Sequence, residues 1–264
     1  MARFQSNNPV FARSAPLAAA SGRAGTAGFR TPTPDELAAM YATPQRLTVD
    51  DIVVKTGLLL GVLVGAGAVA WYANAGGVAV GVAGIAGFAL AMVNIFKARV
   101  SPGLVVAYAA CEGFFVGAIS HVYNGAYHGI VLQAVLATVV VFGGVLAAYR
   151  SGRLRATPKF TKMVTGALLG LVGLLLVDAV VSLFAGGDPL GIRGGNLALS
   201  VLFSVALIAF GAMTFVIDFD QAERMVAAGV DARESWRVSF GLVVGLVFIY
   251  LEILRLLSYP QGRD

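Results

Sequence analysis

Long apolar runs dominate the chain beyond residue 47: Ile52 to Ala73, Gly77 to Phe96, Pro102 to Ser120, Gly129 to Tyr149, Met163 to Ala185, Asn196 to Ile217 and Val238 to Leu257. Each approaches the ~20 residues that a helix rising 1.5 Å per residue needs to cross the hydrocarbon of a bilayer. Polar, Gly-rich or charged breaks separate the runs, so the pattern predicts seven spanning helices in an all-α membrane protein. Just ahead of the first run, Thr48-Val-Asp-Asp51 reads as a variant capping box, with Thr48 as the cap and Asp51 at the third helical position.

Residues 1–47 look different, being rich in Ala, Gly, Ser, Thr and Pro with scattered Arg. Pro9, Arg13, Pro16 and Arg23 interrupt every stretch that could serve as the apolar core of a secretory signal, so a retained, disordered tail is expected. Within it TPTPDELAAMY could form a short helix capped by Thr33, with Pro34 in its first turn. The predicted organisation is a tail over 1–47, a membrane domain over 48–259 and a short C-terminal tail over 260–264.

Composition agrees with lipid as the solvent. Hydrophobic residues make up 58% of the 264 and charged residues 12%, where a water-soluble domain carries about 25% charged. The net charge of +5 would suggest nucleic acid in a soluble chain, but the cations sit in alternate loops. Lys97 and Arg99 fall in one; Arg150, Arg153, Arg155, Lys159 and Lys162 in the next; Arg224, Arg233 and Arg237 in the third. The opposite loops ANAGG and HVYNGAYHG carry none, and AGGDPLGIRGGN has only Arg193, balanced by Asp188. The positive-inside bias then places the N-terminus inside and the C-terminus outside, and argues against nucleic acid as a partner.

Small residues recur at four-residue spacing, as in Gly57, Gly61 and Gly65 or Gly113 and Gly117. Helices in lipid associate through such close backbone approach, which predicts a tight bundle.

The acids within or at the inner end of the spans are Glu112, Asp178, Asp218, Asp220 and Glu252. A carboxylate at the bilayer centre needs water, a cation or a proton. Two readings stand. In one, clustered acids share protons near neutral pH and bind a hard cation such as calcium when ionised; in the other, they are neutral packing groups or helix caps in water. Spacing suggests that Glu252 could meet Glu112 and Asp178, while Arg255, three residues after Glu252, offers a partner on its own helix. His121 and His128 lack matched ligands and read as loop residues, and the lone Cys111 permits no disulfide framework. No lysine lies in the last span for a retinal Schiff base, and HExxH, GxSxG and phosphate-loop motifs are absent, so neither an enzyme nor a bound cofactor is expected.

Several blocks resemble the Bax inhibitor-1 family, also called the transmembrane Bax inhibitor motif family, in its bacterial YccA-like branch: SNNPVFAR, AYAACEGFFVGAIS, VLQAVLATVVVF with AYRSGRLRATPKF, FVIDFDQAE and FIYLEILRLLS. The resemblance implies a bundle whose last helix is central and a pH-sensitive calcium leak controlled by paired carboxylates. It implies Asp220 as the acid of the sixth helix, Glu252 as that of the seventh and Arg99 as a closed-state partner of Asp220. Here Glu stands where the family has Asp in the last helix, and Asp220 and Glu252 are far apart in sequence. A relative that regulates a membrane protease or another membrane partner without transporting anything is the other activity the resemblance implies.

Overall fold

A computed structural model describes Thr33, residues 46–185 and residues 197–261. The chain is all-helical: α1 (Val49–Tyr72), α2 (Gly77–Phe96), α3 (Pro102–Ala126), α4 (Ile130–Arg150), α5 (Pro158–Ala185), α6 (Leu197–Ala227), a 3₁₀ turn at Ala232–Glu234, and α7 (Ser235–Gln261). Among the described residues the extended pairing is a single isolated bridge between Arg46 and Asp231. Six helices among the described residues, α1 to α4, α6 and α7, are long and apolar enough to cross a membrane; α5 runs for 28 residues. Large apolar side chains such as Val54, Phe88, Val140 and Leu202 point outward, the inverse of a water-soluble surface and a face suited to lipid tails. The short helix expected within TPTPDELAAMY lies outside the described residues, Thr33 apart.

The expected start of α1 is present in full. The Asp51 N–H donates to Thr48 Oγ1 at 3.1 Å and the Thr48 N–H donates to the Asp51 carboxylate at 3.2 Å. Leu47, ahead of the cap, is also tied in: its N–H donates to Val230 O and its side chain is buried. Helix ends depart from the apolar runs. Helix α6 continues ten residues past Ile217 to Ala227, and α7 begins at Ser235 and continues to Gln261. Hydrophobicity marks only the stretch in lipid, whereas a helix continues into water wherever pairs such as Asp220 and Arg224, four residues apart, support it.

Packing follows glycine. A Cβ at Gly117 would collide with the backbone of Gly67, and one at Gly113 with the backbone of Leu63. Helices α1 and α3 therefore lie parallel with their backbones in contact. Helix α2 packs antiparallel on α3, Gly84 lying under the Phe115 ring and Gly87 under Glu112. Helix α7 packs against α1, α3, α4 and α6. Against α6 it runs antiparallel, with Gly211 beside Ile249 and Gly245 beside Phe215. Against α3 it runs parallel, with Tyr108 edge-on to Phe240 at 5.0 Å between centroids and the hydroxyls of Ser120 and Tyr250 2.7 Å apart. Two buried clusters meet on α7: Phe215, Phe219, Ile130, Ile249 and Leu254 form one, and Leu59, Val105, Tyr108 and Val243 the other.

The two glycine stripes of α1 and α3 make opposite predictions. Gly117→Val should cost about 1–3 kcal/mol or more, because backbone has to move to admit the side chain. Gly61→Ala, at a position with nothing within 4 Å, should leave stability unchanged. Thermal unfolding of both variants in the same detergent checks this, and equal midpoints would contradict the α1–α3 contact.

Candidate functional site

All basic loops with described residues fall at one end of the bundle, where α1, α3, α5 and α7 begin and α2, α4 and α6 end. A polar clasp joins α1 to α7 there. Lys55 Nζ donates to Ala232 O at 3.1 Å, contacts the Ser235 hydroxyl, and lies 5.5 Å from the centroid of the Trp236 ring. One turn further on, the buried Ser239 hydroxyl donates to Ile52 O at 3.1 Å. The ammonium of Lys55 is thus met by a carbonyl, a hydroxyl and an aromatic ring where the first helix enters lipid. Arg237 makes a second clasp: its Nε donates to Glu234 at 2.9 Å, and its Nη2 donates to Ala98 O at 2.9 Å and Lys97 O at 3.2 Å. The first turn of α7 therefore holds the α2–α3 loop.

The expected acids do not form one cluster. Asp220 pairs with Arg224 at 2.7 Å, one turn along its own helix. Asp218, two residues earlier, faces a different direction, since two residues turn a helix by about 200°. It lines a cavity of about 240 Å³ between α2, α6 and α7, together with Asn94, Gln221 and Arg237. Glu252 is buried at 6% exposure and pairs with Arg255 at 2.7 Å, the partner that its three-residue spacing offered. Glu112 is half-buried with its carboxylate over Gly87, facing α2. The helix that carries Asp178 is described, but its side chain lies outside the described residues.

Register separates these groups along the bundle. The Tyr108–Phe240 and Ser120–Tyr250 contacts set Glu112 level with Val243, so Glu252 lies roughly 13 Å further along. The Gly211–Ile249 and Phe215–Gly245 contacts set Asp220 level with Phe240, roughly 18 Å from Glu252 along the axis. Neither Glu112 nor Asp220 touches Glu252. The physical reason is that α7 starts its helix immediately after the turn, so Glu252, its eighteenth residue, has already climbed deep into the bundle. Arg99 stands exposed in the α2–α3 loop and makes no ion pair among the described residues. The cation that ties this loop to the rest of the bundle is Arg237.

No group of three or more His, Cys, Asp or Glu residues that could hold a metal ion occurs among the described residues. His121 instead lies edge-on to Trp71, 5.0 Å between centroids, at the end opposite the clasps.

A family profile described as Bax inhibitor 1 like matches residues 8–262. The chain belongs to the Bax inhibitor 1 like family. The match takes in every described helix as well as the acids of α6 and α7. An uncharacterized protein of Chlamydia muridarum is 28% identical over 157 residues, which are 60% of this chain and 61% of that relative. The chain thus spans less than two thirds of the length of that relative. In this Bax inhibitor 1 like protein, sequence reasoning missed Lys55, Ser235, Ser239 and Arg237. Their partners are largely backbone carbonyls far away in sequence, which no spacing rule exposes. A lysine one turn inside an apolar run was the visible clue.

Loss of the second clasp should be local. Arg237→Gln should raise amide hydrogen exchange across residues 97–101 by about tenfold, the loss of one to two kcal/mol of charge-assisted hydrogen bonding, while the centre of α3 stays protected. Unchanged exchange in that loop would show that Arg237 does not hold it.

Proposed function

We propose that the chain is a seven-span protein of the bacterial plasma membrane, with a cytoplasmic N-terminus and α7 at its centre, that passes calcium by a pH-sensitive leak and is not an enzyme. The observation that supports this best is the pairing of Glu252, buried against Arg255; Asp218 lines a cavity that Arg237 also lines, without an ion pair between them. An acid held beside a guanidinium in low dielectric has two exits, taking a proton or exchanging the guanidinium for another cation. Either exit makes the pairing depend on pH. The Asp218 cavity adds a mechanical link, because Arg237 also holds the α2–α3 loop. Neutralising Asp218 would change the charge that faces Arg237, and with it the hold of α7 on that loop.

Singly placed carboxylates suit passage better than storage. Calcium takes six to eight oxygens in a built cage, and acids spread over roughly 18 Å of bundle favour brief, weak contacts of the kind conduction requires. The leak needs no cofactor under this reading. Orientation is supported by the basic loops gathered at the clasp end, with Lys97, Arg99, Arg150, Arg153, Arg155, Lys159 and Lys162 among them.

A second reading has its own observation. Gly57, Gly61 and Gly65 form an exposed stripe on α1 with nothing within 4 Å, a surface on which another helix could pack closely. A non-transporting regulator of a membrane protease or of another membrane partner would use such a face.

Calcium entry into dye-loaded liposomes separates the two. The parent should show flux that changes by about tenfold between roughly pH 5 and pH 8 as the acids titrate. Glu252→Gln and Asp218→Asn should each flatten that dependence. Absence of flux above empty liposomes at every pH would remove the leak and leave the regulator.

A further inference from the structure

A second cavity, distinct from the one that Asp218 lines, has Asp220 in its wall. It encloses about 540 Å³ between the loop before α5, the first turns of α5 and the last turns of α6. Its polar wall is Thr161, Lys162, Asp220, Gln221 and Arg224; its apolar floor includes Ile217, Met225 and Val230. The cavity lies where both helices change from apolar to charged sequence, the level at which lipid phosphates sit. Lys162 and Arg224 are both exposed, and Arg150, Arg153, Arg155 and Lys159 flank the mouth in sequence. The opposing acids are two and both are engaged: Asp220 by Arg224, and Glu223 by the Tyr149 hydroxyl at 2.7 Å. Beyond the mouth, the outward face of α5 presents Met163 and Leu169 to lipid.

We propose that this cavity is a binding site for the headgroup of an anionic phospholipid, its phosphate received by Lys162, Arg224 and Thr161 and the start of its acyl chains lying along the apolar floor. Cations over an apolar floor at the edge of a bilayer match the two halves of a phospholipid, whereas free phosphate has no use for the floor. Arg224 already holds a carboxylate, so a phosphate competes with Asp220 for the same guanidinium. Anionic lipid would thereby loosen Asp220 and regulate the leak, a consequence that rests on the functional reading above, although the binding itself does not.

The test uses the full chain in nanodiscs of phosphatidylcholine with a minor share of phosphatidylglycerol, native mass spectrometry counting the lipids that stay bound. The parent should retain phosphatidylglycerol in preference to phosphatidylcholine. Lys162→Gln should weaken that retention about fivefold, and Ala228→Trp, which narrows the cavity at unchanged charge, should weaken it as well. Arg153→Gln removes the same charge outside the cavity lining and should have little effect. Equal losses in Lys162→Gln and Arg153→Gln would reduce the effect to surface potential and overturn the site. Displacement of the lipid by millimolar inorganic phosphate would overturn the lipid as its occupant. Selective retention together with no calcium flux above that of empty liposomes would sink the leak and leave the lipid site standing.

Discussion

A charge in hydrocarbon needs its counter-charge beside it, and that constraint arranges this protein. The ion pairs among the described residues, Asp220–Arg224, Glu234–Arg237 and Glu252–Arg255, each lie on one continuous stretch of backbone, three or four residues apart. The remaining cation inside an apolar run, Lys55, finds its partners at the start of the last helix. With charge settled locally, what joins helices in the interior is glycine against backbone, ring against ring and an occasional hydroxyl. The polar joints between helices are concentrated at the clasp end, where water is near.

That division gives the last helix two roles. Its first turns hold α1 and the α2–α3 loop through Ser235, Ser239 and Arg237. Its middle supplies residues to both buried clusters, and its far half carries Glu252. Interruption of the hydrophobic pattern near residue 231 creates this arrangement. Gly229 adopts φ +63°, the Asp231 side chain accepts from the Arg233 N–H, and α7 can start with its polar face turned toward its neighbours.

Much of the fold was legible because lipid enforces a simple code. A helix must be apolar for about 20 residues, so the runs beginning at Gly77 and Pro102 gave the starts of α2 and α3 to the residue. The far ends of α6 and α7 were not legible, since past the lipid boundary the decision passes from hydrophobicity to side-chain pairs. The site divides in the same way. The Glu252–Arg255 pair was open to inspection as a three-residue spacing, and the divergence of Asp218 from Asp220 was implicit in helical geometry. Contacts from Lys55 to Ala232 and from Arg237 to Ala98 join residues 177 and 139 positions apart through carbonyl oxygens. Every residue type has such an oxygen, so nothing in their spelling announces them. Asp220 is engaged in this structure by a nearer guanidinium, that of Arg224 on the same helix.

Locally neutral helices have a mechanical consequence. When α6 or α7 tilts or slides, the Asp220–Arg224 and Glu252–Arg255 pairs each move as a unit, so neither is pulled apart. The cost of such a displacement is then set by how Gly211 and Gly245 repack against Ile249 and Phe215. The stretch of seam around Gly211 and Gly245 is built like a bearing, smooth and uncharged, and its stiffness can be tuned by side-chain bulk without touching any titratable group.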